Sequence, residues 1–116
     1  MRNDKENLIV NLTLEFALNI IEYSELLEEK RKYVIARQLL KSGTSIGANT
    51  PEAQNAESKA DFIHKMKIAA KEADESEYWL LLCSLSKSYP KNPVLINKQL
   101  VIIRIITKII STSKTS

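Results

Sequence analysis

Residues Ile35 to Ala56 read IARQLLKSGTSIGANTPEAQNA, and the fold is decided here. Ile35, Leu39, Ser42, Ile46, Asn49 and Ala53 are spaced alternately four and three apart, which puts them on one face of a helix. Ser42, Gly43, Ser45, Gly47 and Ala48 crowd small residues into two turns of that helix. A glycine inside a helix costs about 1 kcal/mol relative to alanine. Two of them four residues apart make sense where another helix must approach the backbone closely, a packing logic best known from membranes. The stretch reads as the tight inner helix of a helical bundle, with Gly43, Gly47 and Asn49 as structural positions.

The totals agree with that reading. A chain of 116 residues fits one domain, residues 1–116, long enough to bury a core without staples. Only two glycines and three prolines appear, and aromatics are 6%, so long helices with short links are favoured over strands. A single cysteine, Cys83, excludes an internal disulfide and fits a reducing, cytoplasmic setting. Apolar runs are far shorter than the roughly 20 residues of a membrane span, so no membrane partner is expected. The start, Met1-Arg2-Asn3-Asp4-Lys5-Glu6-Asn7, lacks the apolar core of a signal peptide.

Four helices follow from the pattern. Helix one spans about 4–28, opening at Asn3 as a cap with Glu6 as its reciprocal partner. Its buried face is Ile9, Leu12, Phe16, Ile20, Tyr23 and Leu27, widened by Leu14, Leu18 and Ile21. Helix two spans about 34–56, with a kink or brief break near Pro51, where Thr50 can cap a fresh turn. Helix three, about 59–87, starts at a Ser58/Asp61 capping pair. It carries an unbroken heptad seam of Phe62, Met66, Ala69, Ala73, Ser76, Leu80 and Cys83. Ala69 and Ala73 are expected opposite Gly43 and Gly47. Helix four, about 94–111, is rich in β-branched residues that also suit a strand. Its length and its polar stripe of Asn97, Arg104, Lys108 and Ser111 favour a helix, and its wide apolar arc hints at contact with another subunit. Residues 112–116 are expected to fray.

Charge is segregated. Residues 1–29 carry two bases and seven acids, residues 30–41 carry five bases and no acid, and residues 78–116 carry six bases and no acid. The net charge is only +3, too little to establish a nucleic-acid partner by itself. Segregation of this kind suits either an electrostatic partner or contact between neighbouring helices and subunits.

A run of motifs carries a family resemblance. Arg37 through Asn49, then Glu52-Ala53, then Ser58 through Phe62, resembles the bacterial four-helix-bundle proteins of the 23S ribosomal RNA intervening-sequence family. Lys67 through Ala73 and Glu77-Tyr78-Trp79-Leu80 continue the match, which covers helices two and three well and helices one and four by pattern and length. Thr50-Pro51 departs from the family pattern and puts the straightness of helix two in question. The resemblance implies an all-α, antiparallel up-down-up-down four-helix bundle that assembles into homopentameric rings. Some members are encoded within insertions in ribosomal RNA genes. One relative is an accessory protein of diversity-generating retroelements that binds nucleic acid and a reverse transcriptase. For most members no activity is established.

Catalytic and metal chemistry find little support. Asp61-Phe62-Ile63-His64 has the carboxylate–histidine spacing of di-iron bundles, but such sites need two of these motifs and further inward carboxylates. Glu72, Asp74, Glu75 and Glu77 point in several directions around helix three, which suits a solvated face better than acid–base work. Cys83 on the core seam reads as a small buried group, and Trp79 and Tyr78 as packing residues. Asn49 is either a polar contact in a site or a buried amide that fixes helix register. No catalytic residue, metal or cofactor is expected, and an enzyme using the acids of helix three is the least favoured reading.

The remaining candidates are basic. Lys30, Arg31 and Lys32 precede Arg37 and Lys41, four apart on helix two, and Lys67 and Lys71 are four apart on helix three. Repeated around a ring of subunits, these modest patches would add weak phosphate contacts through avidity. The expectation is a non-catalytic oligomeric bundle that binds structured RNA or DNA. The alternative is a homo-oligomeric scaffold that presents acidic helix one to a protein partner, such as a reverse transcriptase, the basic residues serving only solubility or contact with helix one.

Overall fold

The computed structural model describes the backbone of residues 4–115 and the side chains of residues 7–115. Four helices, α1 (Asp4–Glu29), α2 (Tyr33–Gln54), α3 (Lys59–Leu85) and α4 (Pro93–Thr115), form an antiparallel up-down-up-down bundle about 47 Å long and 19 Å across. Each helix packs most closely on its neighbours in the order α1–α2–α3–α4–α1, which gives a square section. The core runs along the axis through Ile9, Phe16, Ile20 and Leu27 of α1, Leu39 and Ile46 of α2, Met66 and Leu80 of α3, and Leu95, Ile102 and Ile106 of α4.

Local chemistry sets the ends. α3 is capped by Ser58, whose hydroxyl accepts from the Asp61 N–H at 3.0 Å, while the Asp61 carboxylate reaches back to the Glu57 N–H at 3.2 Å. α4 starts with Asn92 as cap, its side-chain oxygen accepting from the Leu95 N–H at 3.0 Å, and with Pro93 in the first turn, where no N–H is needed. α1 ends in a Schellman turn: the Lys32 N–H bonds Leu27 O at 2.8 Å and the Arg31 N–H bonds Glu28 O at 2.9 Å. The residue at the left-handed position is Arg31, with φ 65°, where glycine is usual. The expected Asn3/Glu6 cap lies outside the described residues.

Several expectations are corrected. Helix two does not break at Pro51 but continues to Gln54. Pro51 has no N–H to give to Gly47 O, and the Thr50 hydroxyl lies 3.3 Å from that carbonyl, placed to bond it instead. Thr50 therefore caps no new turn; it is buried, as is Ala36, whereas Asn49 and Ile35 are half-exposed. Gly43 and Gly47 face α1, not Ala69 and Ala73 of α3. A Cβ on Gly43 would stand 2.8 Å from Ile20 Cγ1, and one on Gly47 would stand 3.3 Å from Thr13 O. Leu14, Leu18 and Ile21 do not widen the buried face of α1 but are exposed. α3 ends at Leu85, and α4 stays helical to Thr115 where fraying was expected.

Polar ties cross the core. The Thr13 and Thr50 hydroxyls lie 3.3 Å apart between α1 and α2, and the Ser76 hydroxyl lies 3.0 Å from that of Ser42 between α2 and α3. Between α3 and α4 the fully buried Gln99 amide donates to Ala73 O. Tyr23 OH of α1 donates to Pro90 O of the α3–α4 loop at 2.6 Å, and between α1 and α4 Lys98 Nζ donates to Glu15 at 2.5 Å and Asn19 at 2.6 Å. Each sets the height of one helix against the next.

Gly43→Ala is expected to lower stability by about 1–3 kcal/mol, because the clash with Ile20 outweighs the gain in helix propensity. Urea unfolding in an Ile20→Ala background checks this, since removing both Cγ atoms that meet the new methyl should leave Gly43→Ala with little or no cost. Gly47→Ala, with less overlap, should lose less than Gly43→Ala. Arg31→Gly is expected to raise stability by about 1 kcal/mol by relieving the left-handed backbone, read as an upward shift of the urea midpoint.

Candidate nucleic-acid interface

The basic residues come from two places. Lys30, Arg31 and Lys32 form the link between α1 and α2, and the Schellman turn holds their backbone in one shape. Lys30 and Arg31 are exposed, whereas Lys32 is half-buried, its ammonium 5.1 Å from the centre of the Tyr89 ring. That cation–π contact ties the α1–α2 link to the α3–α4 loop at the same end of the bundle. Arg37 and Lys41 project from the outward side of α2, and Lys67 and Lys71 from that of α3, all four exposed. The sequence thus turns each pair away from its buried seam, Leu39/Ser42 on α2 and Met66/Ala69/Ala73 on α3.

The two pairs occupy neighbouring corners of the bundle and are not continuous. Glu72 lies between them, half-buried and close enough to feel the charges of both Lys41 and Lys71. Burial, together with the nearby negative charge of Glu75, nevertheless pushes the Glu72 carboxyl above the ordinary glutamate value. Glu75 also accepts from Trp79 Nε1 at 3.4 Å, and Trp79 meets Tyr78 edge-on at 5.2 Å. Asn49, a candidate position, donates to Ser45 O of its own helix at 2.8 Å and so spans no helix pair.

The sites weighed for other chemistry are occupied structurally. Asp61 serves the α3 cap and pairs with Lys65 at 3.2 Å, interactions that hold its carboxyl below the usual carboxylate range. His64 is exposed, and among the described residues no three His, Cys, Asp or Glu side chains gather to hold a metal ion. Cys83 is buried against Tyr23, and burial pushes its thiol upward in pKa, away from the reactive thiolate. Beside it, Lys91 Nζ donates to the carbonyls of Cys83, Ser84 and Ser86, closing the end of α3. Sequence reasoning missed Gln99, although its place in the α4 seam of Leu95, Ile102, Ile106 and Ile109 was the available signal. It also missed this capping role of Lys91, which no local pattern announces.

Shallow grooves of about 280 Å³ lie between α1 and α4, and one of about 320 Å³ lies between α3 and α4. Leu80, Leu81, Ile96 and Leu100 are the apolar lining of the α3–α4 groove, with Glu77, Ser84 and Gln99 its polar members. No helix of the described residues is long and apolar enough to cross a membrane.

The family model described as 23S rRNA-intervening sequence protein matches residues 5–109, and the chain belongs to that family. A crystal structure of a protein of unknown function from the S23 ribosomal protein family of Bacteroides thetaiotaomicron VPI-5482 is similar to it throughout. The two are 41% identical, the match covers 92% of this chain and 98% of that one, and the TM-score is 0.85. No curated protein matches the chain.

Because the Glu72 carboxyl is raised in the folded state, the fold binds its proton more tightly than the unfolded chain does. Its unfavourable effect is absent below the unfolded carboxylate pKa and complete above the raised folded one. Glu72→Gln is therefore expected to stabilise the protein at neutral pH, by well under about 1 kcal/mol at so solvated a position. The gain should vanish in urea titrations repeated on the acid side of the carboxylate range.

Proposed function

We propose that this member of the 23S rRNA-intervening sequence protein family is a non-catalytic homo-oligomeric bundle that binds structured RNA or DNA. The contacts come from Arg37 and Lys41 of α2 and Lys67 and Lys71 of α3, with Lys30, Arg31 and Lys32 at one end. The observation that carries the reading is the outward projection of those four helix cations, all solvent-exposed, from rigid helices. Charges held on packed helices lose little freedom when they meet a phosphate backbone. One copy offers few such contacts, and a pentameric ring, which the family resemblance suggests, multiplies them so that weak sites act together. Arg31 fits the same picture: a strained backbone is retained at the head of the basic link, where glycine would be easier and uncharged.

The test is fluorescence anisotropy with labelled structured RNA and duplex DNA over a salt series. Binding should fall steeply with salt, its log–log slope reporting the phosphates engaged at about 0.9 per contact on duplex DNA. Replacing Arg37, Lys41, Lys67 and Lys71 together by Gln should abolish binding, with circular dichroism and sedimentation unchanged. Glu72→Gln should tighten binding severalfold by removing the negative charge between the pairs. Absence of binding by the unaltered protein at low salt overturns the reading in favour of a protein-interaction scaffold.

A further inference from the structure

We propose that the groove between α3 and α4 binds a small protonated amine with an apolar tail, its ammonium held between the Gln99 amide oxygen and the Glu77 carboxylate. The inference goes beyond the reading above and does not depend on nucleic-acid binding.

The starting point is an unmet hydrogen bond. Gln99 is 1% exposed and its amide nitrogen donates to Ala73 O, but its Oε1 is buried with no donor among the described residues. A buried acceptor without a donor carries a desolvation cost, so a fold that keeps one calls for a reason. An apolar residue would fill this place in the seam of Leu95, Ile102 and Ile106 without that cost. Gln99 also lines the α3–α4 groove, where a molecule entering from outside would meet it.

The lining selects the chemistry. Leu80, Leu81, Ile96 and Leu100 make the groove apolar, and Glu77 is its charged member. The glutamate stands beside the amide: Ala73 O, which takes the Gln99 N–H, is the carbonyl that an α-helix pairs with the N–H of residue 77. Glu77 is exposed, and no cation among the described residues pairs with it. The cations of α4 are turned elsewhere, Lys98 to Glu15 and Asn19, and Arg104 and Lys108 to the groove beside Leu8. Two acceptors, one of them anionic, beside an apolar floor suit a positive group rich in N–H and repel a carboxylate or phosphate. An ammonium offers three donors on one compact centre and serves both acceptors at once.

Size limits the tail. The groove encloses about 320 Å³. At roughly 30 Å³ for a water-sized group, that is room for on the order of ten non-hydrogen atoms. Leu81 and Leu100, 50% and 37% exposed, stand at the rim, and exposed side chains change rotamer fast enough to admit such a chain.

The test is isothermal titration calorimetry of the full-length protein with n-octylammonium, with methyl NMR to locate the ligand. Octylammonium should bind saturably, one per chain, and shift the Ile96 methyl signals. Octanoate has the same tail with the opposite charge, and ethylammonium has the charge without the tail; neither should saturate. Glu77→Gln should weaken binding severalfold, the scale of an exposed ion pair. Gln99→Met, with no acceptor oxygen, should weaken it about tenfold or more. Circular dichroism checks that each variant keeps its helices, and if Gln99→Met does not, Glu77→Gln at its exposed position decides. No saturable binding of octylammonium, equal binding of octanoate, or a Glu77→Gln protein that binds as the unaltered one does overturns the proposal. So does binding that leaves the Ile96 methyl signals unmoved. Salt-dependent binding of nucleic acid is read separately by anisotropy, so failure of one reading leaves the other standing.

Discussion

The closeness of α1 to α2 is the constraint on which the bundle depends. Gly43 sits where even a methyl group would overlap the Ile20 side chain, and Gly47 sits against the Thr13 backbone. Helices joined by so short a link as Lys30–Lys32 must run nearly side by side, and the two glycines let them do so without a gap. The Thr13–Thr50 hydroxyl pair fits beside Gly47 in the same narrow space, so the closest approach is also the place where the two helices are fixed in height. Ser42–Ser76 and Gln99–Ala73 repeat that solution at the next two seams with different side chains.

Proline within α2 shows how such an arrangement tolerates a local fault. Pro51 withdraws a donor from Gly47 O, and the neighbouring Thr50 hydroxyl stands in its place, within a turn of the helix end, where little ladder remains to lose. Read as a breaker, proline predicts an interruption; read with its neighbour, it predicts a continuous helix. The strained Arg31 is the opposite case, a position where the fold accepts an unfavourable backbone and keeps a positive charge at the surface.

The inside of the bundle is given over to packing and to polar ties between helices. Tyr23, Lys91 and Asp61 are engaged in closing helix ends and fixing loops, and the Cys83 thiol is buried. At the surface stand charge on rigid outward faces and apolar side chains on all four helices, among them Leu14 and Leu18 of α1, Val34 of α2, Leu81 and Leu85 of α3 and Val94 of α4.

Much of this was legible in the amino-acid sequence, for a physical reason. Helix count, the α3 cap and the core seams of α1 and α3 depend on short-range periodicity and local hydrogen bonding, which spacing encodes directly; Ser58, Met66, Ala73 and Leu80 behave as their positions require. The four cations of α2 and α3 were equally legible as outward residues, being offset from those seams. The sequence alone also determined that Gly43 and Gly47 mark a close approach. Only the tertiary structure decided that the approach is to α1, that Thr50 and not Asn49 enters the core, that Glu72 divides the basic pairs, and that Leu14, Leu18 and Ile21 are left uncovered. These outcomes turn on which helix lies on which side of another. Periodicity gives the face of a helix but carries no information about its neighbour, and that choice is made by the packing of the whole chain.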